Sequence, residues 1–299
     1  YNPENGWLQN CNSTPFTVAG KFSPKKSNYV SYLAPDGENY RGINAVKILD
    51  QEKKYTIEKV IATGYNKRLA AFEDLIPALI NAFEKHIDYN DTAFAYLAGP
   101  IAVLKNWDYN VSEKSIATTL AIEWGQRLQV QINRTNGADI VEKTKGFAIL
   151  AGPNTLLEPL LATIKDLQSR FGKWQILWGE INRFQRISSD IENKFDDSKP
   201  SIPVGFASSA WGMLPSYTSR YFPGTTKRYG VNGNSFIAAV EFGKKIKAKS
   251  LLAGGESGDE NSPHFFDQGL MYSKGQFKDV LFYKEDVLKH STKSYHPGE

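Results

Sequence analysis

The sequence predicts an α+β protein in which a mainly helical region is followed by β segments. Between residues 41 and 184 apolar side chains recur at helical spacing, which is the pattern of helices that turn one face toward a core. Residues 236–242 and 248–253 are short apolar runs that predict paired strands. The polar stretch 185–204 separates the two patterns, so we predict a mobile loop and the best internal boundary there.

Composition argues against several classes of function. The 299 residues, 41% of them hydrophobic, are ample for a core. The net charge of +4 is small and the Lys and Arg residues are scattered, which argues against nucleic acid as the main partner. No apolar run reaches the roughly 18 residues of a membrane span. Cys11 is the only cysteine, so neither an intrachain disulfide nor a thiolate metal cage can form, and His86, His290 and His296 lack metal-ligand spacing.

The run 6–15, GWLQNCNSTP, combines several amides with apolar anchors. Pro15 disfavours helix at the residue before it, so the run is predicted to be a short extended segment that ends in a turn. In that geometry Asn10 and Asn12 share one face of the segment. The side chains that can be buried are Trp7, Leu8 and Cys11.

Two interpretations of these amides are open. A rigidly held asparagine offers two N–H donors of fixed direction, as an oxyanion hole for acyl transfer requires. Asn and Ser also favour turns, because they hydrogen-bond their own backbone, so the amides could instead cap the turn.

The next stretch leads into the first predicted helix. Residues 16–40 contain Gly and Pro with little periodicity, which predicts an ordered surface loop. From residue 40 to 49 the apolar spacing is helical, so Arg41 lies at or near a helix start. A cation there opposes the helix dipole, and we expect Arg41 to interact with a group outside the helix. A solvated arginine is the alternative.

Further helices are predicted between residues 55 and 171. Thr56 resembles a cap at the start of one helix, and the Asn-Asp pair 90–91 would cap another. The Gly-Pro pair 99–100 is predicted to break that helix and to start a new one that ends at 106–108. The remaining predictions are a core-facing helix over 72–83, a long amphipathic helix over 115–131, a loop at 135–142 and a helix over 155–171.

Near the C-terminus, the Gly-Glu-Ser-Gly stretch 255–258 invites a nucleophile-elbow interpretation with Ser257 as the nucleophile. That motif needs glycine two places after the serine, where Asp259 stands, and no strand-turn-helix order of Ser, acid and His follows. A phosphate loop fails as well, because no Lys-Ser or Lys-Thr pair follows.

Together these motifs resemble the penicillin amidase family of N-terminal-nucleophile hydrolases, which includes penicillin acylases and acyl-homoserine-lactone acylases. Asn-x-x-Pro resembles the family segment that carries the oxyanion asparagine, and the two glycine- and histidine-containing motifs resemble the family's C-terminal ending. The similar segments, in chain order, are Asn-x-x-Pro at 12–15, Trp-Asp at 107–108, the run 115–120, the Trp-Gly tract 174–183, Gly-x-Ser-Gly at 255–258 and Ser-Pro-His-x-x-Asp-Gln at 262–268.

This resemblance implies the C-terminal part of the larger, beta subunit of an acylase whose intact fold is an αββα sandwich. It assigns Asn12 to the oxyanion hole and Arg41 to an orienting position near it. Ser257, His264 and Asp267 are then expected to form a hydrogen-bonded structural corner. The implied regions are 1–40, the oxyanion-asparagine strand and loop; 41–184, mainly helical; and 201–299, mainly β with the C-terminal motif.

The family's nucleophile is an N-terminal serine freed by self-cleavage, whose own α-amine acts as base. Because residue 1 is tyrosine, we expect a processed subunit or an engineered fragment that is inactive alone, with the serine and the second oxyanion donor upstream. The implied partners are a small-molecule N-acyl amide and the remainder of the acylase, and the implied location is periplasmic or secreted. No cofactor is expected, since calcium-binding members use an aspartate shortly after Asn-x-x-Pro and residues 16–35 contain no acid.

Two other classes of function are considered. Aromatic residues make up 13% of the chain, and the cluster of Tyr217, Tyr221 and Phe222 allows a non-catalytic periplasmic ligand-binding module. An α/β serine hydrolase would depend on Ser257 alone. Within the favoured family, the run 8–15 is more similar to the aliphatic and homoserine-lactone branch.

Overall fold

Helices form most of the chain between residues 40 and 181, and strands are the main regular elements after it, which confirms the predicted α+β class. The computed structural model describes residues 2–52, 54–86, 92–296 and 298. The helices are α1 (Tyr40–Leu49), α2 (Ile57–Gly64), α3 (Phe72–His86), α4 (Thr92–Lys105), α5 (Ile116–Arg134), α6 (Ile140–Leu150), α7 (Pro153–Phe171), α8 (Trp178–Ile181), α9 (Gly269–Lys274) and α10 (Lys284–His290). The strands are β1 (Asn182–Phe184), β2 (Ile202–Pro203), β3 (Tyr217–Tyr221), β4 (Arg228–Gly233), β5 (Phe236–Glu241), β6 (Lys247–Leu252) and β7 (Lys278–Asp279).

Helix starts follow the capping signals in the sequence. The hydroxyl of Thr56 accepts a hydrogen bond from the third residue of α2, and that of Ser115 accepts one from the third residue of α5 at 3.0 Å. α7 ends at Gly172, whose φ of 75° is the left-handed conformation that glycine adopts without steric cost. The cap predicted at 90–91 lies outside the described residues.

The strands form two sheets. The predicted pair over 236–253 is confirmed, since β5 and β6 run antiparallel with Phe236 opposite Leu252, and β7 extends this sheet. The other sheet has the order β2-β1-β4-β3, in which only β1 and β4 are parallel. Its members were not predicted, because short strands with buried polar residues lack a clear alternating pattern.

The core runs continuously from the helices into the sheets. Its helical part holds fully buried side chains from α3, α5 and α7. In α3 and α7 these residues are spaced as an amphipathic helix requires. In α5 residues 117–125 are buried on every face, so the amphipathic pattern predicted over 115–131 holds only for the second half of that helix. Tyr217 of β3, Leu251 of β6 and Tyr272 of α9 belong to the same cluster. The division into regions 1–40, 41–184 and 201–299 stays a prediction.

The predicted helix break at Gly99 and Pro100 is wrong, because α4 continues through both residues. Proline inside a helix removes one hydrogen bond and costs about 3 kcal/mol. Here the buried residues Leu97, Ile101 and Leu104 on both sides of Pro100 pack into the core and offset that cost. Gly99 also faces Trp174, whose ring would lie 3.2 Å from an added Cβ.

The loop predicted at 135–142 is shorter than expected, since α6 begins at Ile140. Its start is an Asp139 cap: one carboxylate oxygen accepts from the backbone N–H groups of Val141 and Glu142, both at 3.0 Å. The other oxygen accepts from the N–H of Glu38 at 3.0 Å, which fixes the residues before α1.

A buried ion pair joins the helices to the four-stranded sheet. Arg228 of β4 is 3% exposed and Glu123 of α5 is 5% exposed. One guanidinium nitrogen of Arg228 lies 2.8 Å from the Glu123 carboxylate and 2.8 Å from the Gln126 amide oxygen. Tyr221 donates to the same carboxylate at 3.2 Å, and Ser219 receives the remaining donors of Arg228. The two buried charges are therefore hydrogen-bonded to each other and to neighbouring polar groups.

The boundary loop 185–201 is fastened to β4 through Asp197. The carboxylate accepts hydrogen bonds from the backbone and hydroxyl of Thr226, both at 2.7 Å, and from the Tyr229 hydroxyl at 2.8 Å. Phe195 stacks on the Tyr229 ring with centroids 4.8 Å apart. Burial alone would raise the pKa of Asp197, but these hydrogen bonds and Lys227 lower it below its ordinary value.

We expect this fastening to fail at low pH. Because the pKa of Asp197 is lower in the folded chain than the ordinary value of about 3.9, its stabilisation is complete above that pH and is lost as the pH falls through the folded value. Asp197→Ala should loosen the loop at neutral pH too, which amide hydrogen exchange over 187–197 measures. Asp190→Ala, which removes an exposed carboxylate of the same loop, is the control, and equal exchange in both variants would contradict the assignment.

Candidate active site

The segment predicted as a candidate site forms a bent chain beside the start of α1. Residues 7–10 form no regular secondary structure and residues 11–13 bend, with Asn12 in the left-handed conformation at φ 54°, which asparagine tolerates better than most residues. The Asn10 side chain accepts from the Asn12 backbone N–H at 2.9 Å. Asn10 therefore caps the turn, as one of the two interpretations predicted. Because the chain bends at Asn12, the strand-like alternation that would place Asn10 and Asn12 on one face does not extend to Asn12.

Burial in this segment differs in part from the prediction. Trp7 and Cys11 are half-buried, but Leu8 is 64% exposed. Burial raises the pKa of the Cys11 thiol, although Arg41 acts in the opposite direction, so the thiol is neutral at pH 7 and a poor nucleophile. Asn12 is exposed, so its side chain is reachable from solvent.

Asn39, the residue before α1, ties the segment to the helix. Its side-chain oxygen caps α1 by accepting from the Gly42 N–H at 2.8 Å. Its amide nitrogen donates to the backbone carbonyls of Cys11 and Asn12, both at 3.1 Å. The Asn39 side chain thus caps the first turn of α1 and holds the carbonyl groups of two successive peptide bonds, those after Cys11 and Asn12.

Arg41 fixes the Asn12 side chain itself. Its Nη2 donates to the Cys11 carbonyl at 2.8 Å and also to Oδ1 of Asn12. A guanidinium only donates, so the amide atom that faces it must be the oxygen. The Nδ2 group of Asn12, with both of its N–H donors, is therefore held on the opposite side. Arg41 also lies in the first turn of α1 and bonds groups outside the helix, as the sequence predicted.

Gly42 makes this close approach possible. An added Cβ at Gly42 would lie 2.6 Å from the Ser13 hydroxyl and 2.9 Å from the Ser13 Cβ. Any larger residue would push the Asn12 segment away from α1. Next to the segment lies a cleft of about 400 Å³, lined by Gln9, Asn10, Asn12, Ser13, Thr14, Pro15, Val18, Ala34 and Asp36.

The C-terminal motif is folded as a surface corner. Nδ1 of His264 lies 2.8 Å from the Asp267 carboxylate, and the backbone N–H of Ser257 donates to the His264 carbonyl at 3.1 Å. The Ser257 hydroxyl instead accepts from the Asp259 N–H at 3.0 Å. The expected corner therefore exists, but Ser257 joins it through its backbone and His264 is 69% exposed.

Close packing within the motif requires a glycine at position 255. A Cβ there would lie 2.2 Å from the His264 carbonyl oxygen, so the two parts of the motif require a residue without a side chain where they touch. The arrangement gives Ser257 no imidazole base, which argues against the nucleophile-elbow interpretation.

The described part of the chain contains neither a metal-binding cluster nor a single helix that could span a membrane. Over those residues, no group of three or more His, Cys, Asp or Glu side chains could hold a metal ion. Over the same residues, no single helix is both long and apolar enough to span a membrane; α6 and α7 meet that condition only as a pair bent by 101°.

Comparison with known proteins assigns the chain to a family. The sequence profile named Penicillin amidase matches residues 1–289. The chain belongs to the penicillin amidase family. A solved structure, the thermostable penicillin G acylase from Alcaligenes faecalis, is similar with a TM-score of 0.50 and 16% sequence identity. The match covers 99% of this chain and 57% of that acylase chain, so the likeness concerns the fold of a little over half of it.

In this penicillin amidase chain, the sequence located Asn12 and Arg41 but not the residues that hold them together. Asn39 carried a signal, because an asparagine directly before a predicted helix favours an N-cap. Gly42 carried a weaker signal: glycine is disfavoured inside a helix, so its presence there indicates a position where another segment packs closely.

If Arg41 orients Asn12, removing it should impair turnover more than substrate binding. Arg41→Met in the complete enzyme leaves the Asn12 amide free to rotate, so we expect kcat to fall by up to about 10²-fold with KM little changed. Arg41→Lys retains a donor that can reach one partner and should recover part of the loss. A methionine variant with normal kcat would contradict the orienting role.

Proposed function

We propose that this chain is part of an N-acyl amide hydrolase of the penicillin amidase type, in which Asn12 stabilises the oxyanion. The observation that carries the proposal is the contact of Arg41 with Oδ1 of Asn12, which leaves Nδ2 as an oriented donor beside the cleft. Preorganised donors of this kind stabilise charge that develops in the transition state.

The proposed reaction is acyl transfer through a serine that lies outside this chain. The serine Oγ attacks the amide carbonyl and loses its proton to its own α-amine, which acts as base. The carbonyl oxygen becomes the oxyanion and accepts a hydrogen bond from Asn12 Nδ2. Collapse breaks the C–N bond, and the amine leaves with the proton returned by the α-amine. Water then attacks the acyl-enzyme, which releases the carboxylic acid and restores the serine.

The remaining partners follow from that role. The substrate is a small N-acyl amide such as a penicillin or an N-acyl-homoserine lactone, with the aliphatic and homoserine-lactone branch favoured by the run 8–15. The other partner is the rest of the acylase, comprising the alpha subunit and the N-terminal part of the beta subunit. The 299-residue chain alone is expected to be inactive, and the complete enzyme is expected in the periplasm or outside the cell.

The ligand-binding module is not supported by the aromatic residues that suggested it. Tyr217 is 4% exposed and its hydroxyl donates to the Arg183 carbonyl at 2.7 Å. Tyr221 donates to the buried Glu123 carboxylate. Tyr217 belongs to the core and Tyr221 to the ion-pair network, so these two rings are not part of an exposed aromatic cluster.

The test is expression of the complete coding sequence that contains this chain, followed by intact mass spectrometry and assays with a phenylacetyl amide and a long-chain N-acyl-homoserine lactone. We expect two subunits, the larger of which begins with serine and includes this chain, and hydrolysis of one of the two amides. A single uncut chain that hydrolyses neither would refute the proposal.

A further inference from the structure

A second pocket lies where β1 and β4 separate. It has a volume of about 380 Å³. Its lining consists of residues 184–186 at the end of β1, residues 230–235 of β4 and its continuation, Asn193, Phe195, Tyr217, Ala253, Gly254 and Tyr272. None of its lining residues lines the cleft at Asn12. A cavity of this size is within the range of small-molecule sites.

The strand pairing explains why the pocket is open. β1 pairs with β4 at two positions, Asn182 with Arg228 and Arg183 with Tyr229. The β1–β4 pairing ends there, and Gly230, Asn232 and Gly233 pair only with β3 on the other side, where Val231 forms a bulge. Gly230 is required there, because an added Cβ would lie 2.2 Å from the Tyr217 hydroxyl. The cavity is thus built into the sheet and does not depend on a loose surface loop alone.

Among the described residues that line the pocket, Arg186 alone is charged. One of its guanidinium nitrogens donates to the Phe265 carbonyl at 2.6 Å, and the guanidinium lies 3.9 Å from the centre of the Phe265 ring. Across the described part of the chain, no carboxylate lies within 4.0 Å of it. A half-buried guanidinium with donors that no carboxylate occupies is suited to an anion, and its planar fork matches a carboxylate.

Aromatic rings form the apolar wall. Phe184 packs edge-on against Tyr217 with centroids 5.9 Å apart, and Phe195 is stacked on Tyr229. The hydroxyls of Tyr217 and Tyr272 already donate to backbone carbonyls. The tyrosines therefore present mainly their rings to the pocket. The groups left to hydrogen-bond a ligand are the Arg186 guanidinium and asparagine amides of the lining, such as that of Asn232.

We propose that this pocket binds a small carboxylic acid in its ionised form, with the carboxylate on Arg186 and an aromatic or compact aliphatic group against Phe184 and Phe195. A lone positive charge selects a monoanion, and the ring-lined wall selects an apolar tail over a fully hydrated anion. The site is separate from the Asn12 cleft, so the inference does not rest on the proposed function.

The experiment is isothermal titration calorimetry of the protein with phenylacetate, with the neutral isostere phenylacetamide and with inorganic phosphate. We expect phenylacetate to bind more tightly than either. Arg186→Gln keeps a donor for Phe265 but removes the charge, and should weaken phenylacetate binding about tenfold or more. Arg220→Gln, which removes an exposed arginine stacked on Phe222 outside the pocket, is the matched control and should bind normally.

Two further variants guard against misfolding and against binding elsewhere. Asn232→Asp places a negative charge in the exposed lining and leaves residue 186 an arginine. It should also weaken phenylacetate binding, while the thermal unfolding midpoint stays unchanged. Asn12→Ala should leave this binding unchanged. The proposal would be overturned if phenylacetate did not bind, or if Arg186→Gln left its binding intact. It would also be overturned if Asn12→Ala abolished the binding, or if phenylacetamide or phosphate bound with equal affinity. These outcomes count whatever the result of the amide hydrolysis assays.

Discussion

Asn12→Ala in the complete enzyme is expected to lower kcat by about 10²- to 10³-fold, the usual effect of losing one oxyanion donor. The loss should appear in kcat and in kcat/KM alike, because the hydrogen bond strengthens only when the carbonyl oxygen becomes an oxyanion. Steady-state hydrolysis of the best amide substrate measures it. Structure should survive the change, since the Asn12 side chain is exposed and its backbone carbonyl remains bonded to Asn39.

Two further variants sharpen this test. Asn12→Asp keeps the shape and pairs well with Arg41 but offers no donor, so its kcat should be at least as low as that of the alanine variant. Ser257→Ala is the control, because the Ser257 hydroxyl bonds only locally to Asp259, and it should retain full activity. Near-normal turnover in Asn12→Ala would refute the oxyanion assignment, and loss of activity in Ser257→Ala would revive the nucleophile-elbow alternative.

Arg228→Ala should lower the free energy of unfolding by about 3–5 kcal/mol, the largest stability effect we predict. Removing the guanidinium leaves the Glu123 carboxylate buried without its main partner, and an uncompensated charge in a core costs that amount. Urea denaturation followed by tryptophan fluorescence gives the change. A loss below about 1 kcal/mol would show that water or Arg170, 3.9 Å from the other Glu123 oxygen, replaces the partner.

Matched variants separate the pair from general damage. Lys194→Ala removes an exposed lysine paired with Asp190 in the boundary loop, and should cost less than about 1 kcal/mol. Replacing both partners with apolar residues, Glu123→Leu with Arg228→Met, should restore much of the stability lost in the single variant, since no charge is then left buried. A double variant as unstable as Arg228→Ala would assign the effect to packing.

Local sequence signals predicted most of the helices, the β5–β6 pair and the loop 185–201, although the predicted bounds of 185–204 also included β2. These features depend on neighbours within a few residues, through apolar periodicity, caps such as Ser115 and turn formers. The same local signals placed Arg41 at a helix start and singled out the amides around Asn12. The motifs beyond them indicated the family, which the profile match over residues 1–289 confirms.

Other features could not be predicted because distant residues decide them. α4 passes through Gly99 and Pro100 because buried neighbours offset the local penalty. The Glu123 and Arg228 charges are 105 positions apart in sequence, and only the fold encloses them together. The Arg186 pocket exists because two strands diverge.

Local patterns in the sequence were thus enough to predict most of the helices, the family and the candidate site residues. Only the tertiary structure decided which atom of the Asn12 amide faces Arg41 and which charges are buried, since those contacts form between segments that no local pattern links.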